Sequence, residues 1–203
     1  MKSILKLSVF ALCAVLMSCQ KDPDTDKLDN SYMVLTNYDS DTDFGSINSF
    51  FVIDSILIIN DQSKPTYWKN ANSQKIIDAY NDNFTACGYT QVAKGDDADV
   101  VLQLSYISNT YYFANSVGPW WNSYPGYWNW GGWGWYYPFS FYYSYSTGSV
   151  IGELVNRKAP KGDKLTVVWN SYICGLLNGS NLSYSRTMAA INQAFKQSPY
   201  LNK

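Results

Sequence analysis

Apolar positions along this chain keep a period of two between turn clusters and switch to a helical period in two places. Residues 32–39 (YMVLTNYD) are a run of β-formers and predict a first strand, followed by a turn cluster from Asp39 to Asp43. Residues 47–59 (INSFFVIDSILII) predict a second strand, interrupted at Asp54-Ser55. A loop is expected over 60–65. Ile76, Ile77, Tyr80, Phe84 and Cys87 then recur at helical spacing, while Asp78, Asn81 and Asp82 fall on the other face. They predict a helix over 73–87, with Ser73 as N-cap and Gly88 as the stop beyond its end. Residues 98–107 predict a third strand, with Val100, Leu102, Leu104 and Tyr106 on one face. Residues 142–156 and 165–174 predict the fourth and fifth, joined by a loop over 157–163 that holds Pro160 and Gly162. A second helix is expected over 183–197. Met188, Ile191, Ala194 and Phe195 form its apolar stripe, and Pro199 follows its end. The order is ββαβββα. Each helix has one apolar face and the strands need cover. The predicted fold is therefore a two-layer α+β domain: a mixed or mostly antiparallel sheet of about five strands, with two helices on one face.

The start of the chain follows a different pattern. Lys2 and Lys6 precede an apolar stretch that ends Leu16-Met17-Ser18-Cys19. The stretch is shorter than the roughly 20 residues of a membrane-spanning helix and has the regions of a secretory signal. Its end resembles a bacterial lipobox, which implies cleavage before Cys19 and acylation of that residue, as with palmitate. Residues 1–18 are thus read as a lipoprotein signal peptide. Residues 19–31 are read as a lipidated N-terminus and flexible tether, and 32–203 as a single α+β domain. Gln20-Lys21-Asp22, with Asp24 and Asp26, resembles the acidic export signal of certain surface lipoproteins of Gram-negative bacteria. The expected location is the outer membrane, the cell surface slightly ahead of the periplasmic leaflet.

Charge and composition narrow the chemistry. The 15 basic and 16 acidic side chains leave a net charge of −1, without the Lys/Arg excess that phosphate binding needs, so no nucleic-acid partner is expected. The chain has no histidine, which excludes His-based triads and removes the commonest zinc ligand. Beyond Cys19, only Cys87 and Cys174 remain in the mature chain, and they are expected as two separate buried thiols. Asp39, Asp41 and Asp43, like Asp96, Asp97 and Asp99, are spaced as solvated turns rather than as a calcium loop. Residues 131–134 are glycine-rich but lack the lysine and following helix of a phosphate loop. No metal, cofactor or catalytic residue is expected.

Residues 111–145 hold 18 aromatics in 35 positions, and no charged residue occurs between Asp99 and Glu153. This insert, about 107–141, joins the third and fourth predicted strands. A connection that long is uncommon unless it is functional or disordered, and its composition is unlike a solvated linker. Four uses fit it: self-packing on the sheet, a protein interface, stacking against glycan, and membrane contact. The residues singled out for contact are Trp120, Trp121, Trp128, Trp130, Trp133, Trp135, Tyr136 and Tyr137.

A family pattern also runs through the chain. Phe44-Gly45-Ser46-Ile47-Asn48-Ser49-Phe50-Phe51, then Gly88-Tyr89 after a helix, then Ala98-Asp99-Val100-Val101 occur in order. A hairpin follows, with Gly148 to Val155 on one arm and Leu165 to Trp169 on the other. Together they resemble the domain of unknown function 4136 family of bacterial lipoproteins, from about Val34 to Tyr200. Asn156 and Asn170 depart from the acidic and Arg positions common there. The resemblance implies fold and lipoprotein status and carries no active site. The expected role is non-enzymatic envelope binding or assembly through the aromatic segment. The partners are the membrane, through the lipid anchor, and an envelope protein or glycan. The alternative is an envelope-glycan hydrolase or transferase with a carboxylate pair about 5–10 Å apart, for which Asp99 and Glu153 flank the insert.

Overall fold

In the computed structural model, residues 32–59, 66–108, 134–139, 148–178 and 181–203 are described. Strand β1 spans Met33–Tyr38, β2 Ser49–Ile59 and β3 Thr66–Trp68. Helix α1 spans Ala71–Ala86. Strands β4 (Thr90–Gln91), β5 (Val100–Ile107), β6 (Gly134–Tyr136), β7 (Ser149–Lys161) and β8 (Lys164–Cys174) follow. The short pair β9 (Leu177–Asn178) and β10 (Asn181–Leu182) leads into helix α2, Tyr184–Lys196. The two helices and the mixed sheet agree with the sequence reading. The strand count does not: the described residues form an eight-stranded sheet, ordered β1-β8-β7-β5-β2-β3, with β4 on β2 and β6 on β8. The three strands beyond five are two or three residues long, too short to show a period of two.

The pairing explains the chain path. β2 and β5 are parallel, so the chain must cross over between them, and β3, α1 and β4 fill that crossover. β5, β7 and β8 are antiparallel neighbours, and β1 pairs antiparallel with β8. The interruption expected at Asp54-Ser55 is a register shift between Val52 and Ile56 inside one continuous β2. The loop expected over 157–163 is instead the outer part of β7 and a two-residue turn at Gly162-Asp163. There the pairing with β8 skips from Asn156 to Lys161. Pro160 is tolerated because its missing N–H is not needed in such a bulge.

Both helices cover one face. Ile76, Ile77, Tyr80 and Phe84 of α1 and Ala190, Ile191, Ala194 and Phe195 of α2 join Phe50, Leu102, Leu154 and Trp169 in the main core. Phe84 is its hub, with ring centroids 4.8 Å from Phe195, 5.2 Å from Phe50 and 5.9 Å from Trp169. α1 starts two residues earlier than expected. Its N-cap is Asn70, whose side chain accepts from the Asn72 and Ser73 N–H groups, while Ser73 accepts from the Asn70 N–H in return. Gly88 follows its end at φ 96°, as expected of a stop. Cys87 belongs to this core, whereas Cys174 packs with Ile59, Ile107, Ile151 and Tyr172 on the opposite face. The two sulfurs are not joined to each other, and Cys174 is half-buried rather than buried. No described helix is long and apolar enough to cross a membrane.

Candidate functional site

The aromatic insert enters the described structure at β6. Three rungs pair it parallel with β8, Gly134 with Lys164 through Tyr136 with Thr166. β1 occupies the same edge of β8 farther along, from Tyr38 opposite Trp169. Two strands from distant parts of the chain therefore meet end to end on one edge. Of the residues singled out in the sequence, Trp135, Tyr136 and Tyr137 are described. Trp120, Trp121, Trp128, Trp130, Trp133 and Cys19 lie outside the described residues.

Alternation sends the three described aromatics to opposite faces. Trp135 and Tyr137, with Phe139, pack against Val155, Leu165 and Val167 on the face away from the helices. Tyr136 faces the other way, where its hydroxyl accepts from Lys161 Nζ at 2.8 Å and the ammonium also stands 4.1 Å from the ring centroid. Tyr136 lines a cleft of about 420 Å³ with Pro138, Lys161, Asn156 and the Asp39–Asp43 turn. The acids of that turn serve the backbone. Asp39 accepts from the Asp41 N–H and from the Thr42 hydroxyl, and Asp43 accepts from the Gly45 N–H. They are the solvated turn that the spacing predicts, and no described group of acidic or thiol residues forms a metal site.

The face away from the helices carries an unexpected polar row. Asn37, Asn170, Glu153 and Gln103 sit on successive strands β1, β8, β7 and β5 at one register level. Ile151 and Tyr172 flank the row on one side and Val155 and Val167 on the other, all buried. Asn170 accepts from the Asn37 backbone and side-chain amides at 3.2 and 3.1 Å. Glu153 is 1% exposed. The Tyr137 hydroxyl donates to its Oε1, and its Oε2 is buried with no hydrogen-bond partner. Burial pushes the Glu153 carboxyl up to about 8, against the opposing effect of the Tyr137 hydrogen bond. Glu153 therefore keeps its proton at neutral pH.

The sequence held a signal for this. A single acid stands inside Val150-Ile151-Gly152-Glu153-Leu154-Val155, where a strand buried on both faces offers it no water. Tyr137 is among the aromatics that the sequence singles out, but nothing in the local pattern pairs it with Glu153.

Asp99, the other flanking carboxylate, has a different task. Its Oδ2 accepts from the Asn48 and Ser49 N–H groups at 2.8 and 2.9 Å, and Lys158 pairs with its Oδ1. Burial works against the charge, but Lys158 and the two backbone donors together outweigh it and hold the carboxyl well below the usual range. Asp99 fastens the start of β2 to the start of β5. Glu153 lies opposite Gln103, four residues along β5 from Asp99. At roughly 3.3 Å per residue that is about 13 Å, wider than a glycosidase pair of about 5–10 Å. The two acids do not make the carboxylate pair weighed in the sequence.

Comparison with known proteins matches this architecture. The model of the family Domain of unknown function (DUF4136) matches residues 34–200. The chain belongs to the DUF4136 family. A crystal structure of a DUF4136 family protein from Bacteroides thetaiotaomicron is similar at 45% sequence identity and a TM-score of 0.74, covering 86% of this chain and 99% of that one. More distant structures are a PelC dodecamer from Paraburkholderia phytofirmans and a PDZ domain protein from Parabacteroides distasonis. The first has 13% identity and a TM-score of 0.40, over 85% of this chain and 98% of that one. The second has 16% and 0.43, over 85% and 37%. Likenesses at that level say nothing of role. No curated protein matches the chain. DUF4136 membership thus gives the fold an experimental relative and leaves the role to be argued from residues.

Proposed function

We propose that this DUF4136 protein is a lipid-anchored component of the bacterial outer membrane. Cys19 carries the lipid, and the aromatic segment makes a non-enzymatic binding or assembly contact with an envelope protein or glycan. The cell surface remains slightly favoured over the periplasmic leaflet. One observation carries the binding reading. Eighteen aromatics occur in residues 111–145 with no charge from 100 to 152, and within that stretch Gly134–Tyr136 pair into the sheet as β6. Contact surfaces are rich in Trp and Tyr and poor in charge at their centres, which is the composition of this stretch. The lipobox-like Leu16-Met17-Ser18-Cys19 supports the anchor. Several acyl chains hold far more firmly than one, at about 0.8 kcal/mol per buried CH₂.

Two experiments test the reading separately. Labelled palmitate should enter the wild-type chain in its native host and not Cys19→Ala; equal labelling of both ends the anchor. Excising residues 109–133 with a short Gly-Ser joint should keep the circular dichroism of the domain. The same excision should abolish co-sedimentation with purified cell-wall glycan, or photo-crosslinks to envelope proteins in intact cells. Unchanged association after excision refutes the contact.

A further inference from the structure

Residues 134–139 are held to the sheet from both sides of the strand. β6 supplies three rungs to β8, and Trp135, Tyr137 and Phe139 rest on Val155, Leu165 and Val167. On the buried face the Tyr137 hydroxyl donates to a carboxyl, that of Glu153. We infer that Tyr137 and Glu153 form a proton-dependent latch: residues 134–139 stay docked while the Glu153 carboxyl is neutral, and their hold weakens when its proton passes to bulk water. The latch acts on the attachment of this stretch and holds whatever the aromatic segment touches.

The surroundings of Glu153 carry the argument. Gln103 faces it from β5, Asn170 from β8, and Asn37 lies beyond on β1. Tyr172 stands one register step away on β8, hydrogen-bonded to Ser149, and Tyr137 faces it from the docked stretch. Ser105 lies two residues beyond Gln103 on β5, buried opposite Ile151. None of these groups is a cation, and Arg157 and Lys158, farther along β7, pair with Asp97 and Asp99. An ionised Glu153 would have one hydroxyl donor and an unpartnered oxygen shut away from water, a costly state that the fold relieves by letting water in. β2, β5, β7 and β8 are long strands of the sheet centre, whereas β6 is a three-residue edge strand. It is the described cover that can leave most cheaply. The carboxyl titrates near 8 when docked, against an ordinary 4.5 when open to water. Between those values the docked form holds one proton more than the open form. The opening constant then rises about tenfold per pH unit from 4.5 to about 8 and levels off above.

Hydrogen exchange on the full chain tests this. Protection of peptides covering 134–139, corrected for the intrinsic pH dependence of exchange, should fall about tenfold per pH unit through that window. Peptides from β5 should keep theirs. Glu153→Gln should remove the pH dependence and leave protection high, and Tyr137→Phe should lower protection at every pH. Infrared spectroscopy of the unmodified protein gives a second readout that needs no variant: a protonated-carboxyl band should persist at pH 7, fall to about half near pH 8 and be lost by about pH 10. A pH-independent wild type, an unchanged slope in Glu153→Gln, or the absence of that band at pH 7 overturns the latch.

Discussion

Gly152 is a glycine because Tyr80 needs its space. A Cβ there would stand 2.9 Å from Ser171 Oγ and 3.2 Å from both Cε1 and the hydroxyl of Tyr80. The Tyr80 hydroxyl and Ser171 Oγ form a buried hydrogen bond at 3.0 Å, and burial raises the phenol, so neither partner can retreat to water. Gly152→Ala should destabilise the fold by about 1–3 kcal/mol in denaturant unfolding. Combined with Ser171→Ala, it should cost less than the sum of the two, because the closest clash is then gone. At the same scale, burial away from water favours the neutral form of Glu153, whereas Lys158 and two backbone donors favour the charged form of Asp99. Residue type alone did not separate these two acids; their surroundings did.

Among the elements, α1 and β6 show opposite ways of being specified. α1 is local: its apolar stripe, its stop at Gly88 and its capping box all lie between Asn70 and Gly88. The apolar spacing predicts the helix with Ser73 as its N-cap; the cap is Asn70 instead, and Ser73 sits at the third helical position, where it returns the bond to Asn70. Asn70 also accepts from the Trp68 indole at 2.9 Å, which ties β3 to the helix start. Asn70→Ala should therefore cost about 1 kcal/mol or somewhat more by thermal unfolding, while Ser73→Ala should cost less. β6 is not local. Gly134-Trp135-Tyr136 has no distinguishing pattern inside a stretch full of Gly, Trp and Tyr. It becomes a strand because β1 leaves part of the β8 edge open and unpaired backbone groups there demand partners.

Across the whole molecule, proton linkage joins the two acids into one stability profile. The Asp99 carboxyl lies below its ordinary value of 3.8, so its contribution is fully present above that value and is lost as pH falls further. The Glu153 carboxyl lies above its ordinary 4.5, so the fold is favoured below that value and loses stability as pH rises towards 8. Denaturation midpoints should therefore peak near pH 4–5 as far as these groups decide it. Glu153→Gln should flatten the alkaline side, and Asp99→Asn should flatten the acid side while lowering the maximum. The α+β class, both helices and the long central strands are legible in the residues alone, because each rests on periodicity within a few turns or one strand length. The residues also mark the aromatic, charge-free stretch and the lipobox-like start as unusual. Tertiary structure alone decided that β1 and β6 share one edge, that the second face is as buried as the helix-covered one, and that Glu153 meets Tyr137 there. Those facts depend on pairings between residues far apart in the chain, and a local pattern holds no record of which distant strand will take an open edge.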